Sequence, residues 1–212
     1  MRPEIEALET SGISQLFALG VDREGVIPLW FGEGDLPTPD FISAAAIRSL
    51  QAGHTFYSHK RGIPGLRAAI ADYMNGLFGA ALDVERITVT SSGMNGIMLA
   101  LQTLAGAGDS VVVVSPVWPN IMSGVRIMGA ALKTVALRPG ADGFHLDLEE
   151  LMAACDERTR VVFVNSPSNP TGWVMRRAEQ QALLDFCRAR GIWIMADEVY
   201  HRFVYDLSLI HI

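Results

Sequence analysis

From about residue 86 onward, short runs of consecutive apolar residues alternate with stretches whose apolar positions recur at helical spacing. The runs are RITVT (86–90), SVVVVS (110–115), ALKTVAL (131–137), RVVFVN (160–165) and IWIMAD (192–197). Each is a continuous Val/Ile-type block and not an alternation of apolar with polar, the pattern of strands buried on both faces of a parallel sheet. Helical stretches are expected between them, near 92–105, 119–129, 147–155 and 176–190. Strand–helix–strand alternation of this kind predicts an α/β fold with a doubly wound, mostly parallel sheet. Ligands of such sheets sit beyond the carboxyl ends of the strands, so the residues just after each strand are the first candidates for a site.

Upstream the pattern is all helix and loop. Thr38 is expected to cap a helix that has Pro39 at its first position and Gly53 past its end. A second helix is expected over PGLRAAIADYMNGLFG (64–79), after the polar loop HTFYSHKRG (54–62). Residues 1–34 are less regular and are expected to form an arm or part of a smaller domain, with 35–206 as the large domain and 207–212 unassigned. There is no internal repeat.

Composition narrows the class. The 212 residues carry a net charge of −6 with a pI near 5.3, which excludes a nucleic-acid surface built on clustered Lys and Arg. Half the residues are hydrophobic, yet no run approaches the roughly 18 apolar residues of a membrane span. The N-terminal MRPEIEALET lacks the apolar region of a secretory signal, and Cys155 and Cys187 lack any paired spacing, so a cytoplasmic setting is expected. Neither the cysteines nor the five histidines have metal-binding spacing.

The strand ends carry the chemistry. The run IWIMADEVYHRF (192–203) passes from apolar residues into Asp197 and Glu198, and a carboxylate at a buried strand end requires a cation or a proton donor. A protonated ring nitrogen or a metal would serve for Asp197, with Tyr200 three residues on; Glu198 reads as structural. After ITVT, Ser91-Ser92-Gly93-Met94 opens a helix whose free N–H groups suit a phosphate, or else forms a serine cap with a packing glycine. In SPSNPTG (166–172) the prolines fix a loop that would hold Asn169 in place over a ligand. Trp118, between two prolines after SVVVVS, is either a core aromatic or a platform for a flat ligand.

Taken in order, GEGDLPTP (32–39), FYSHKRGIPGLRAAI (56–70), SSGMNG (91–96), SPVWPN (115–120), NSPSNPTG (165–172) and ADEVY (196–200) resemble the class I/II aminotransferases, the fold-type-I family dependent on pyridoxal 5′-phosphate. The likeness covers residues about 26 to 206, and the last two motifs together are its most specific part. It implies the large domain of that fold and transfer of an amino group between an amino acid and a 2-oxo acid. It further implies roles: Asp197 pairs with the pyridinium nitrogen, and Asn169 and Tyr200 hydrogen-bond the ring's phenolic oxygen. Trp118 stacks on the ring, and Ser92, Gly93 and Met94 hold the phosphate. Tyr57 reaches the phosphate of the neighbouring subunit in a homodimer, and Gly32 lines the substrate carboxylate.

Two departures accompany the resemblance. Met94 stands where some members carry a hydroxyl, leaving only a backbone contact there, and Gly34 replaces a proline often found in the GEGD stretch. The family's Schiff-base lysine is also unmatched. The only lysines are Lys60 and Lys133, both upstream of ADEVY. The expectation is therefore a truncated gene product, inactive as written and open at one sheet edge, with the lysine and the carboxylate-binding arginine encoded further on. The alternative activity within the fold is a carbon–sulfur β-lyase. A P-loop hydrolase is disfavoured because no GxxxxGK[ST] is present, a dinucleotide site because GEGDLP lacks the third glycine. A transcription regulator that borrowed the fold is disfavoured because the pattern begins within about thirty residues of Met1.

Overall fold

The computed structural model describes residues 1–203. Two compact units emerge, one formed by residues 9–89 and the other by residues 1–8 together with the chain from Thr90 onward. This grouping reflects compactness alone; the division at residue 34 expected from the sequence is a separate proposal about a smaller domain.

The short helix α1 (Pro3–Glu6) belongs to the second unit. In the 9–89 unit, α2 (Gly12–Gly20), α3 (Asp40–Gln51) and α4 (Pro64–Phe78) are followed by a 3-10 turn at Val84–Arg86. The start of α3 corrects the sequence expectation. Pro39, not Thr38, occupies the cap, and its carbonyl accepts the N–H groups of Ile42 and Ser43, so no side chain caps the helix. Gly53 lies past its end with φ +78°, as the turn there requires.

The expected strand at 86–90 is a second correction. Among the described residues this stretch joins no sheet. Arg67 donates from Nε to the Ile87 carbonyl at 3.0 Å and from Nη2 to the Val84 carbonyl at 2.6 Å. The Val89 N–H donates to the Arg61 carbonyl at 3.0 Å. Groups that would form a ladder are thus bonded to two arginines from 61–67, a contact that the apolar pattern does not encode.

The other unit is the doubly wound sheet. After α5 (Gly93–Leu104) come β1 (Ser110–Ser115), α6 (Asn120–Ile127) and β2 (Ala131–Ala136). A small hairpin, β3 (Arg138–Gly140) with β4 (Gly143–His145), was not foreseen; it leads to α7 (Leu148–Ala154), β5 (Thr159–Asn165), α8 (Arg177–Arg190) and β6 (Trp193–Asp197). The four long strands are all parallel, in the order β2-β1-β5-β6.

The continuous apolar runs have the anticipated cause. Val112, Val114, Val162 and Val164 face one side and pack with Leu151 of α7 and with Leu183 and Cys187 of α8. Their neighbours Val111, Val113, Val161 and Phe163 face the other side, with Leu101 of α5 and with Ile121 and Val125 of α6. Successive strand residues point to opposite faces, so a strand covered on both must be apolar throughout. Gly124 of α6 lets α5 approach: a Cβ there would lie 3.0 Å from Leu101 Cδ1 and 3.1 Å from Met98 Sδ.

This strand order fixes where a ligand can enter. The chain leaves β1 for β2 on one side of the sheet and leaves β5 for β6 on the other. The connections therefore diverge between β1 and β5, and the carboxyl ends of these two strands are where such sheets take their ligands. No helix among the described residues is long and apolar enough to cross a membrane.

Candidate active site at the carboxyl edge of the sheet

Three strand ends meet at this edge. β1 delivers Ser115 and, through a cis Ser115–Pro116 bond, Val117 and Trp118, with Trp118 half-buried. β5 delivers Asn165 and the loop 166–172, which contains cis bonds at Ser166–Pro167 and Asn169–Pro170. The loop is pinned by its own backbone: Ser168 N–H donates to the Trp173 carbonyl at 2.9 Å and Gly172 N–H to the Ser168 carbonyl at 2.8 Å. Its Ser166 hydroxyl oxygen accepts the Met175 N–H at 2.9 Å. The rigidity read from the prolines is thereby present as bonds.

β6 delivers Asp197 and Tyr200, and side chains tie it to the β5 loop. Asn169 Nδ2 donates to the Tyr200 hydroxyl oxygen at 3.3 Å. Asn165 Nδ2 donates to the Asp197 carbonyl at 3.0 Å, and Asn165 Oδ1 accepts the Asn169 N–H at 2.7 Å. The half-buried Asp197 accepts the Val199 N–H on Oδ1 at 3.2 Å, and among the described residues no cationic side chain forms a salt bridge with it. Asn169, Asp197 and Tyr200, picked separately from the sequence, thus stand in one cluster. Asn165 is the member that sequence reasoning passed over. Its only signal was an amide closing an apolar strand directly before the proline loop.

Glu198, read as structural, is half-buried beside this cluster. Burial pushes its carboxyl pKa up, the neighbouring Asp197 charge adds to the rise, and His201 opposes it. The Glu198 carbonyl accepts the His201 N–H at 2.9 Å, closing a turn after the strand.

At the start of α5 Ser92 is the cap that one of the two readings expected. Its Oγ caps the helix by accepting the Asn95 N–H at 3.1 Å, while its carbonyl accepts from the Thr90 hydroxyl at 2.8 Å. The hydroxyl proton of Ser92 remains available to a ligand. The N–H groups of Gly93 and Met94 are first-turn donors with no acceptor inside the helix. A Cβ on Gly93 would meet nothing within 4 Å, so the space above that turn is open. Met94 sends its side chain toward α6, where Cε lies 3.6 Å from the position of a Gly124 Cβ, leaving its backbone N–H as its contribution. The tight turn at Gly106–Asp109 sends the chain back from α5 into β1, which sets the start of α5 at the sheet's carboxyl edge.

Gly32 and Tyr57 belong to the 9–89 unit and are exposed on it; Tyr57 is fully so, beside an equally exposed Phe56. Of the two lysines, Lys60 is exposed in its loop. Lys133, in the first half of β2, pairs with Asp156 at 2.8 Å and donates to the Ala154 carbonyl at 2.9 Å. Lys133 is thus held on the body of its strand by its own partners, as the sequence implied, and is not delivered to the carboxyl edge.

The parallel sheet brings a helix N-terminus, an amide–phenol pair and a carboxylate to one edge, where α/β folds take their ligands. Comparison with known proteins supplies the family. The family profile described as "Aminotransferase class I and II" matches residues 26–211. The chain belongs to that family, whose members use pyridoxal phosphate. It is 36% identical over 205 residues to a probable aspartate/prephenate aminotransferase of Aquifex aeolicus, covering 97% of this chain and 51% of that protein. It is 35% identical over 183 residues to an arginine–pyruvate transaminase of Pseudomonas aeruginosa, covering 86% of this chain and 46% of that one. The fold superposes on N-succinyldiaminopimelate aminotransferase from Mycobacterium tuberculosis with a TM-score of 0.91 and 31% identity, over 97% of this chain and 54% of that one. The chain spans about half the length of the curated relatives it matches. The three names cover different amino acids, and nothing in them bears out the β-lyase alternative.

Proposed function

We propose that the protein is a pyridoxal-phosphate-dependent aminotransferase, moving an amino group between an amino acid and a 2-oxo acid in the cytoplasm, as a homodimer. The observation that carries this reading is the bonded cluster of Asn169, Tyr200 and Asp197 at the ends of β5 and β6.

The residues present fit the cofactor. The open first turn of α5 offers the Gly93 and Met94 N–H groups, the Ser92 hydroxyl and the positive end of the helix dipole to a phosphate. Asp197, with Oδ1 engaged by Val199, has a second carboxylate oxygen to accept a hydrogen bond from a protonated ring nitrogen. Asn169 and Tyr200 are donors for a phenolic oxygen, and the half-buried indole of Trp118 supplies a flat face and keeps water from one side. When bound, pyridoxal phosphate supplies an electron sink for the bond-breaking at the substrate α-carbon.

The work of this chain is then electrostatic and positional. Asp197 holds the proton on the ring nitrogen, because a half-buried carboxylate favours an opposite charge beside it. Asn169 and Tyr200 would hold the ring's phenolic oxygen by hydrogen bonds. Gly32 lies in the segment assigned to the substrate carboxylate, and the full exposure of Tyr57 suits a residue that serves a neighbouring subunit's phosphate.

The test is Asp197→Ala made in a full-length enzyme that carries the family's Schiff-base lysine, since the only lysines here are Lys60 and Lys133. Folding, followed by circular dichroism, should be unchanged, while the amino-transfer rate falls by about a hundredfold or more, the scale on which one preorganised electrostatic contact acts. Turnover within a few-fold of the parent protein would sink the reading.

A further inference from the structure

We propose that Asn165 is a positioning residue that sets the spacing between the Asn169 loop and Asp197, acting through those two groups and touching no ligand itself. This deepens the function proposed above and rests on it.

Asn165 is the last residue of β5 and only 4% exposed. Its Cα stands in register with that of Asp197 across the parallel pair β5–β6. Both ends of its amide are used. The nitrogen donates to the Asp197 carbonyl at 3.0 Å, and the oxygen accepts the Asn169 N–H at 2.7 Å. The next residue adds a second tie to the same point, Ser166 N–H to the Asp197 carbonyl at 3.1 Å. Asn169 Nδ2 then reaches Tyr200, three residues beyond Asp197, and so completes a circuit of amide, loop, phenol and strand.

Packing alone does not call for an amide there. The strand reads Val161-Val162-Phe163-Val164 up to this position, every side chain buried and apolar, and another branched aliphatic residue would continue the pattern. A buried polar side chain is tolerated only when its hydrogen bonds are satisfied, and here they are satisfied by the two elements that carry the candidate site. An asparagine matches because one planar group holds a donor and an acceptor about 2.3 Å apart, joining two backbone groups that a sheet ladder would leave unconnected. Side chains that orient a functional group by hydrogen bonds of this kind typically change ligand affinity roughly tenfold or more when removed, as at metal sites.

The experiment is a double-mutant cycle read by binding of pyridoxamine 5′-phosphate to the purified protein. That probe bears an amine and needs no lysine partner. Coenzyme fluorescence gives the affinity; amide hydrogen exchange at Asn169 and Val199 gives a readout without ligand. Asn165→Ala should weaken binding roughly tenfold and speed exchange of the Asn169 N–H. Asn169→Ala should weaken binding by a similar factor, and the double variant should be little worse than either single one, because both break the same arrangement. Asn165→Asp keeps the acceptor for the Asn169 N–H and loses the donor to the Asp197 carbonyl. It should preserve Asn169 protection while Val199 exchanges faster, which retains a test if the alanine variant folds poorly. Unchanged affinity in a folded Asn165 variant, or affinity losses that multiply in the double variant, overturns the positioning role and leaves the proposed function standing. Failure of the parent protein to bind the probe overturns the proposed function, and the positioning role with it.

Discussion

Arg67 offers the sharpest measurement of what holds the 9–89 unit together. Its side chain is 6% exposed, yet it has no wholly buried counter-charge, since the Glu85 side chain it meets at 3.0 Å is 64% exposed. Its principal partners are two backbone carbonyls, Val84 at 2.6 Å and Ile87 at 3.0 Å. Hydrogen bonds to a charged group contribute about 1.5–3 kcal/mol each, so Arg67→Met removes about 3–6 kcal/mol of favourable bonding. Against this, the buried guanidinium no longer has to be desolvated, and Met fills most of the same volume. Glu85 loses one partner but keeps Arg61 at 2.9 Å and ready access to water, so it adds little. The Val84 carbonyl also retains the Ile87 N–H at 3.1 Å. A net local loss of about 3 kcal/mol follows, half the upper sum. At about 1.4 kcal/mol per tenfold, protection of the amides of residues 84–89 should fall by roughly a hundredfold in hydrogen exchange. Arg67→Lys should recover part of this, since one ammonium cannot span both carbonyls. Protection within threefold of the parent chain in Arg67→Met would refute the reasoning, and residues 87–90 would then be held by something other than these arginines.

Two further outcomes follow from the same reading. Glu198 has its folded-state pKa raised above the ordinary 4.5, chiefly by burial. The folded state therefore binds more protons than the unfolded one between that ordinary value and the raised one, and stability falls as pH rises through the window. Glu198→Gln should be more stable than the parent at neutral pH, with the gain gone near pH 4 in paired denaturant titrations; a gain independent of pH would contradict the assignment. Gly62 has φ +101°, and a Cβ there would lie 2.8 Å from Val89 Cβ and Cγ2. Gly62→Ala should cost about 2–4 kcal/mol from backbone strain and overpacking, and adding Val89→Ala should return only the steric share.

The placement of the candidate site residues was legible where each follows a strand. Asp197 and Asn169 stand at sheet ends that any doubly wound arrangement brings to one edge, and the prolines of 166–172 announce a fixed loop. Asn165 was not readable because its meaning depends on register. Only the pairing of Asn165 with Asp197 across β5 and β6 turns an amide at a strand end into a link between two functional groups. The stretch 86–90 was misread for a related reason: β-branched residues specify an extended backbone, and the partner that takes its hydrogen bonds lies elsewhere in the chain.

The sequence by itself determined the layered α/β arrangement, through valine runs that must be covered on both faces, and it determined membership of the aminotransferase family through motifs local enough to survive as strings. Tertiary structure alone decided the strand order β2-β1-β5-β6, hence the divergence of connections between β1 and β5, and the bonds joining Asn165, Asn169, Asp197 and Tyr200. The physical division is one of range. Burial pattern and turn chemistry act between neighbours along the chain, whereas a hydrogen bond across 31 or 32 residues forms only once the sheet has set the register of its strands.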